Sequence, residues 1–475
     1  MPEPSIDLLA IERGTVTAPA GCGKTQLIAD ALKRHAEIKP ILVLTHTNAG
    51  VAALRARLDR AGVSPKTYRL STIDGWALRL LSLFPVRGGI TQEQLQLTNP
   101  KTDYPAIRKA AVRLLRDSHI DDILKSSYAR LIVDEYQDCS LPQHAIAGLA
   151  ARTLPTVVLG DPMQAIFGWQ GNELADWEKQ VCTYFPLAGE LNVPWRWRNA
   201  GTEAFGQWLL HLRRLLMSGT AIDLRDAPGE VVWIQLNGTE DRTLQLRACQ
   251  TKAPSADGNV LIIGKSTSPP SQQEFASQTP GAVTVEAVDL KDLVNLAKDF
   301  DFHAADALDK VVSFAASVMT NVGAPDLLRR VGVLQRGTER REASEVERAA
   351  LRFVAERSPR TMVDLLVEIG KDAGVRTYRP AVLRACIKAL QSCDGGTGNT
   401  FYDSAVRARE QNRLLGRPLP RRAVGSTLLL KGLEADVAVV LDASELDARN
   451  FYVAATRGSR QLVVCSRQSI LTPRI

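Results

Sequence analysis

The stretch Ala18-Pro-Ala-Gly-Cys-Gly-Lys-Thr25 constrains the fold of this chain more than any other. Strand-like Thr15, Val16 and Thr17 precede it, and apolar Leu27, Ile28, Ala31 and Leu32 follow at helical spacing. A strand, a turn of small residues and a helix start predict a loop whose backbone N–H groups and positive helix end converge on one point. Such a point suits a polyphosphate. Ala20, Gly21, Cys22, Gly23, Lys24, Thr25 and Gln26 would surround it, with the Lys24 ammonium on the β and γ phosphates and the Thr25 hydroxyl on Mg2+. Phosphate loops commonly carry glycine where Ala18 stands, but the strand–turn–helix context favours this reading over a chance glycine turn.

Two later segments supply the acids and the sensor that such a loop needs. Arg130-Leu-Ile-Val-Asp134-Glu135-Tyr-Gln-Asp138 is an apolar strand that delivers adjacent carboxylates at its end. Asp134 would hold the metal, and Glu135 would orient and deprotonate the attacking water. Pro155 to Gly160 reads as another strand, followed by Gln164 in position to sense a γ phosphate and by Trp169, whose ring could stack on a nucleic-acid base. Stacking of that kind is worth about 1–3 kcal/mol per base and is nearly blind to sequence. Ile41 to Leu44 is a wholly apolar run, as a buried parallel strand requires. It leads into Thr45-His-Thr47-Asn48, at the strand end where α/β sheets place ligands. Trp76 follows Ser71 and Thr72 and reads either as a base-stacking surface or, more simply, as core.

Composition narrows the classes left. At 475 residues the chain should form two or more domains, and a net charge of +7 leans mildly toward a polyanionic partner. Seven cysteines lie scattered at 22, 139, 182, 249, 386, 393 and 465, without metal-ligand spacing, so no zinc site and a reducing cytoplasmic setting are expected. No run of about 18 apolar residues is present, which argues against a membrane span.

Taken together, Ala18–Thr25, Thr45–Asn48, Ser71–Trp76, Asp134–Asp138 and Gly160–Trp169 resemble the successive ATPase motifs of the superfamily 1A helicases, the UvrD/Rep/PcrA group, which carries alanine at the position of Ala18. The second half continues the likeness. Trp195-Arg-Trp-Arg198-Asn resembles the group's aromatic-Arg-Ser element, which would make Arg198, or in the competing register Arg196, a γ-phosphate contact. Leu430-Lys-Gly-Leu-Glu434 resembles the element whose glutamate touches the nucleotide sugar. Phe451-Tyr-Val-Ala-Ala-Thr-Arg457 resembles the element that carries the arginine finger.

The resemblance implies an α/β fold of two RecA-like phosphate-loop domains with mainly helical insertions: 1–83 with 129–190, and 191–267 with 413–475, interrupted by helical segments 84–128 and 268–412. It implies ATP and Mg2+ as cofactors and single-stranded or partly duplex DNA as partner. Thr47, Asn48, Trp76 and Trp169 would face the strand, with movement 3′ to 5′. Both insertions are short for the group, as in the compact GajB-like subunits of the Gabija anti-phage system. A second reading is therefore a nucleotide-sensing subunit acting beside a nuclease partner.

Overall fold

Wholly apolar runs become the central strands of parallel sheets because both faces of such a strand are covered. The computed structural model describes residues 6–168, 172–287, 289–338, 341–394, 400–414 and 420–474. They form two compact units: Met1–Val232 with Ser444–Gln461 and Gln468–Ile475, and Trp233–Ala443 with Leu462–Arg467.

In the first unit, β1 (Arg13–Thr17), β2 (Ile41–Thr45), β3 (Tyr68–Thr72), β4 (Leu131–Val133), β5 (Thr156–Gly160) and β6 (Leu187–Glu190) assemble in the order β3-β2-β4-β5-β1-β6. Every pairing in this sheet is parallel. Thr17 lies opposite Gly160 and Val133 opposite Val158. The carboxyl ends of β4, β5 and β1 therefore finish side by side, and three motifs spread over about 150 residues of sequence are delivered to one edge.

The helical insertion is part of the same core. Helix Pro100–Arg116 buries Ile107, Ala110, Ala111, Leu114 and Leu115, in one cluster with Trp76, Leu80 and Leu81 of helix α3 (Ile73–Leu83). Arg108 grips Asp74 through Nε at 2.7 Å and Nη2 at 2.6 Å, and the Gln143 amide donates to the same carboxylate at 3.1 Å. A fork-to-carboxylate pair of this kind fixes direction as well as distance. It staples the insertion to the sheet.

β7 (Ile222–Asp223) pairs antiparallel with β16 (Ile470–Leu471). A second six-stranded sheet contains β8 (Val231–Gln235), β9 (Val260–Ile263), β10 (Val283–Thr284), β13 (Arg422–Gly425), β14 (Ala435–Val440) and β15 (Gly458–Ser466), in the order β10-β13-β9-β14-β15-β8. The contacts β10–β13, β13–β9 and β9–β14 are parallel. Between β10 and β13 lie helices around a core that includes Phe314, Phe353, Leu365, Leu366, Val382 and Leu390, with a ribbon of β11 (Met319–Thr320) and β12 (Arg376–Thr377). Ser344 with Glu347 and Ser358 with Thr361 form capping boxes that start two of these helices. Arg379 is buried and bound by Glu286 and Asp292, which ties the helices back to the sheet.

The observed class is the expected α/β one, with two six-stranded sheets and helical insertions. The first unit extends past residue 190. Helices Trp195–Ala200, Glu203–Met217 and Ala448–Ala455 all belong to it.

Candidate nucleotide site

Gly21 and Gly23 carry φ of 70° and 88°, the left-handed region that an L side chain resists. Their lack of a side chain has a second use. A Cβ on Gly21 would lie 2.4 Å from the Trp197 ring, and one on Gly23 would lie 3.0 Å from Trp195. Helix α1 (Lys24–Arg34) starts with no side-chain cap and no acid in its first turn, so its leading N–H groups remain available to an anion. The Ala20 amide donates to the Tyr452 hydroxyl at 3.2 Å, and the Arg196 amide donates to the Gly21 carbonyl at 3.0 Å. Cys22 is buried, which pushes its thiol up to about 12 and makes it a turn filler rather than a reactive group. Gln26 is exposed and bonds Asp30 at 2.8 Å.

Lys24 bridges the two acids at the end of β4. Its Nζ stands 2.8 Å from Asp134 Oδ1 and also bonds Glu135 Oε1. Burial alone would lower the Lys24 ammonium, but the two carboxylates more than offset it and raise it above its ordinary value. Burial pushes the Asp134 carboxyl up, and Lys24 draws it back only in part. The Lys24 ammonium is therefore held by carboxylates that an anionic ligand at this lysine would have to outcompete.

Glu135 has φ of 55°, an uncommon conformation outside glycine. Three neighbours hold it there: Lys24, the Gln137 amide at 2.6 Å on Oε2, and its own N–H on Asp134 Oδ1 at 2.9 Å. The Gln137 carbonyl oxygen in turn accepts from the Asp161 amide at 3.1 Å. Asp161 caps the turn that carries Gln164 and accepts from the Gln164 amide at 3.1 Å. Arg457 is buried and donates from Nη2 to Gln164 Oε1 at 3.5 Å, from Nε to the Val453 carbonyl at 2.8 Å, and from Nη2 to Thr456 at 3.0 Å.

Thr25 accepts from Arg57 Nη1 at 3.1 Å. A hydroxyl oxygen has two lone pairs, so one remains for a cation. Together with the Asp134 carboxylate it offers the oxygen-only donors that a hard divalent ion prefers.

The other expected site residues are placed differently. Arg198 turns to Glu203, at 2.5 Å, and lies over the Trp195 ring with its side chain 42% exposed. Arg196 instead donates to the Thr456 carbonyl at 2.6 Å, beside Arg457, and its Cβ flanks Gly21. Thr47 caps helix α2 (Asn48–Arg60) by accepting from the Gly50 amide, and Asn48 is exposed at its first position. Trp76 is 2% exposed, so its ring faces are engaged by the core rather than presented to a base. Glu434 precedes β14 in the second unit. Trp169 lies outside the described residues.

Three participants escaped the sequence reading. Gln137 was visible within Asp134–Asp138 but carried no distinct signal. Tyr452 and Arg213 were silent. Arg213 is buried and donates from Nε to Asp161 Oδ1 at 3.1 Å, which fixes the turn that holds Gln164.

Residues 89–180 match the family model described as UvrD/REP helicase N-terminal domain. No curated protein matches the chain. Among solved structures, the complex of Arterivirus nonstructural protein 10 (helicase) with DNA is similar at 13% identity and a TM-score of 0.28, over 55% of this chain and 49% of that one. This chain thus spans about half the length of that protein. Among the described residues no helix is long and apolar enough to cross a membrane.

Proposed function

We propose that this chain is a UvrD-like DNA helicase motor, an NTPase that uses ATP with Mg2+ to move 3′ to 5′ along a single strand. The observation that carries the reading is one continuous set of contacts, Lys24–Glu135–Gln137–Asp161–Gln164–Arg457. It joins the phosphate lysine, the water-activating acid, the sensor glutamine and the finger arginine. Thr25 and Asp134 would hold the metal, which supplies charge neutralisation across the β and γ phosphates when bound. Lys24 leaves its carboxylates for the phosphate oxygens, and this frees Glu135 to take a proton from water. Polarity and strand contact at Thr47, Asn48 and Trp169 rest on the resemblance.

Arg196 is the better candidate than Arg198 for a γ-phosphate contact from the 195–200 helix, because its backbone packs on Gly21 and its guanidinium lies beside Arg457 on the Thr456 carbonyl. Arg196→Ala is expected to slow hydrolysis by about 10²-fold, as loss of one preorganised charge donor does. Arg198→Ala, which breaks an exposed ion pair, should change it by no more than about twofold. Steady-state phosphate release on the two variants decides between them, and a larger loss in Arg198→Ala would restore the other register.

The function itself is tested by hydrolysis of ATP and GTP with and without single-stranded DNA, paired with a strand-displacement assay. Stimulation by DNA and unwinding of a 3′-tailed duplex support the motor. Hydrolysis that DNA leaves unchanged, and that rises only with a co-purifying nuclease, supports the nucleotide-sensing subunit instead.

A further inference from the structure

A cavity in the first unit, of about 520 Å³, lies along β3, the edge strand of the sheet. Its wall runs from Leu42 and Tyr68, the residues near the starts of β2 and β3, to Tyr128, which precedes β4. It therefore reaches the amino half of the sheet, whereas the phosphate loop sits at the carboxyl ends. Its lining includes three aromatic residues, Tyr68, Tyr128 and Trp76. Trp76 is 2% exposed, and its Nε1–H finds no acceptor among the described residues. A buried indole donor left unpaired is costly, and an inserted acceptor would recover that cost.

The rim carries Arg55, Arg69 and Arg79 against a single acid, Asp59. Arg69 spends one Nη on the carbonyls of Tyr68 and Pro65. Arg55 and Arg79 are exposed at the mouth, where guanidinium forks suit a phosphate. The volume falls within the range of small-ligand sites.

We propose that this cavity is a second nucleotide site that takes a nucleoside monophosphate, its base accepting from the Trp76 Nε1–H and its phosphate at the arginine rim. Asp59 disfavours a passing polyanionic strand but can accept from a ribose hydroxyl or a base amine. The site is independent of the motor reading and of the phosphate loop.

Hydrogen exchange over residues 65–79 and equilibrium dialysis of dAMP with the full chain test it. dAMP lacks the β and γ phosphates that Lys24 would hold. Binding should slow exchange in that segment, and Arg55→Glu/Arg79→Glu should weaken affinity by about tenfold or more. Trp76→Phe, which keeps the ring packing and removes the N–H, should weaken it by about fivefold. Lys24→Ala should leave it unchanged. The proposal is overturned if dAMP binding follows Lys24 instead of the arginine pair, if segment 65–79 responds only to single-stranded (dT)12, or if dAMP gives no protection. Arg55→Gln/Arg79→Gln, with matched thermal melts, guards against misfolding of the charge-reversed variant.

Discussion

Replacement of Glu135 by glutamine is expected to slow NTP hydrolysis by about 10²–10⁴-fold, the usual share of a positioned general base, while nucleotide binding becomes no weaker. The two halves have one cause. Glutamine keeps the length of the side chain and can still accept from Lys24, but it cannot take a proton from water. It also removes one of the two charges that hold the Lys24 ammonium, so phosphate oxygens compete against Asp134 alone. Stability should change little, because the Glu135 side chain is 36% exposed. Single-turnover hydrolysis, beside titration with a fluorescent ATP analogue, separates the terms. Turnover within about threefold of the parent would remove Glu135 from its role. Weaker nucleotide binding would mean that the carboxylate helps hold the ligand rather than restrain the lysine.

The site was legible in the sequence to the extent that each motif is contiguous. Ala18 to Thr25 announces its own loop because glycines with positive φ, a lysine and a helix start must be neighbours in the chain. Asp134 and Glu135 announce theirs because an apolar strand ends on them. What a contiguous reading misses is support that arrives from elsewhere. Arg213 sits in an amphipathic helix, where a sequence pattern assigns it to a solvated face, yet it is buried on Asp161. Tyr452 reads as the aromatic of its motif but gives no sign that it reaches the Ala20 amide.

Register was the other limit. Trp195-Arg-Trp-Arg198 offers two arginines two positions apart, and only the helix geometry separates the one bound to the Thr456 carbonyl, whose backbone meets Gly21, from the one bound to Glu203. The core was easier. Runs such as Ile41–Leu44 fix a buried parallel strand with no need of tertiary context. Trp76 shows the same bias, since its leucine-rich neighbours already favoured burial over stacking.

Arg457→Ala is expected to lower the hydrolysis rate by about 10³–10⁵-fold, the range found when an arginine finger is absent from phosphoryl transfer. The same substitution should reduce stability by about 0.5–1.5 kcal/mol, because a buried hydrogen bond to the Val453 carbonyl is lost while the Thr456 hydroxyl still donates to that oxygen at 3.1 Å. A purely structural arginine would produce only the second effect, so a melt and a rate per folded molecule must be read on one sample. Arg457→Lys sharpens the distinction. A lysine keeps the charge but has no planar fork with which to reach Val453, Thr456 and Gln164 together, so it should restore little of the rate. Coupling to the sensor is open to a double-mutant cycle with Gln164→Ala. If the two residues act as one unit on the γ phosphate, the double variant should be scarcely slower than Arg457→Ala alone, whereas independent roles would give multiplied losses. Multiplied losses together with near-parental melting would separate Gln164 from Arg457, and a rate for Arg457→Ala within tenfold of the parent would end the two-sided view of the pocket, in which the lysine and acids that follow β1 and β4 are answered by an arginine just after the helix Ala448–Ala455.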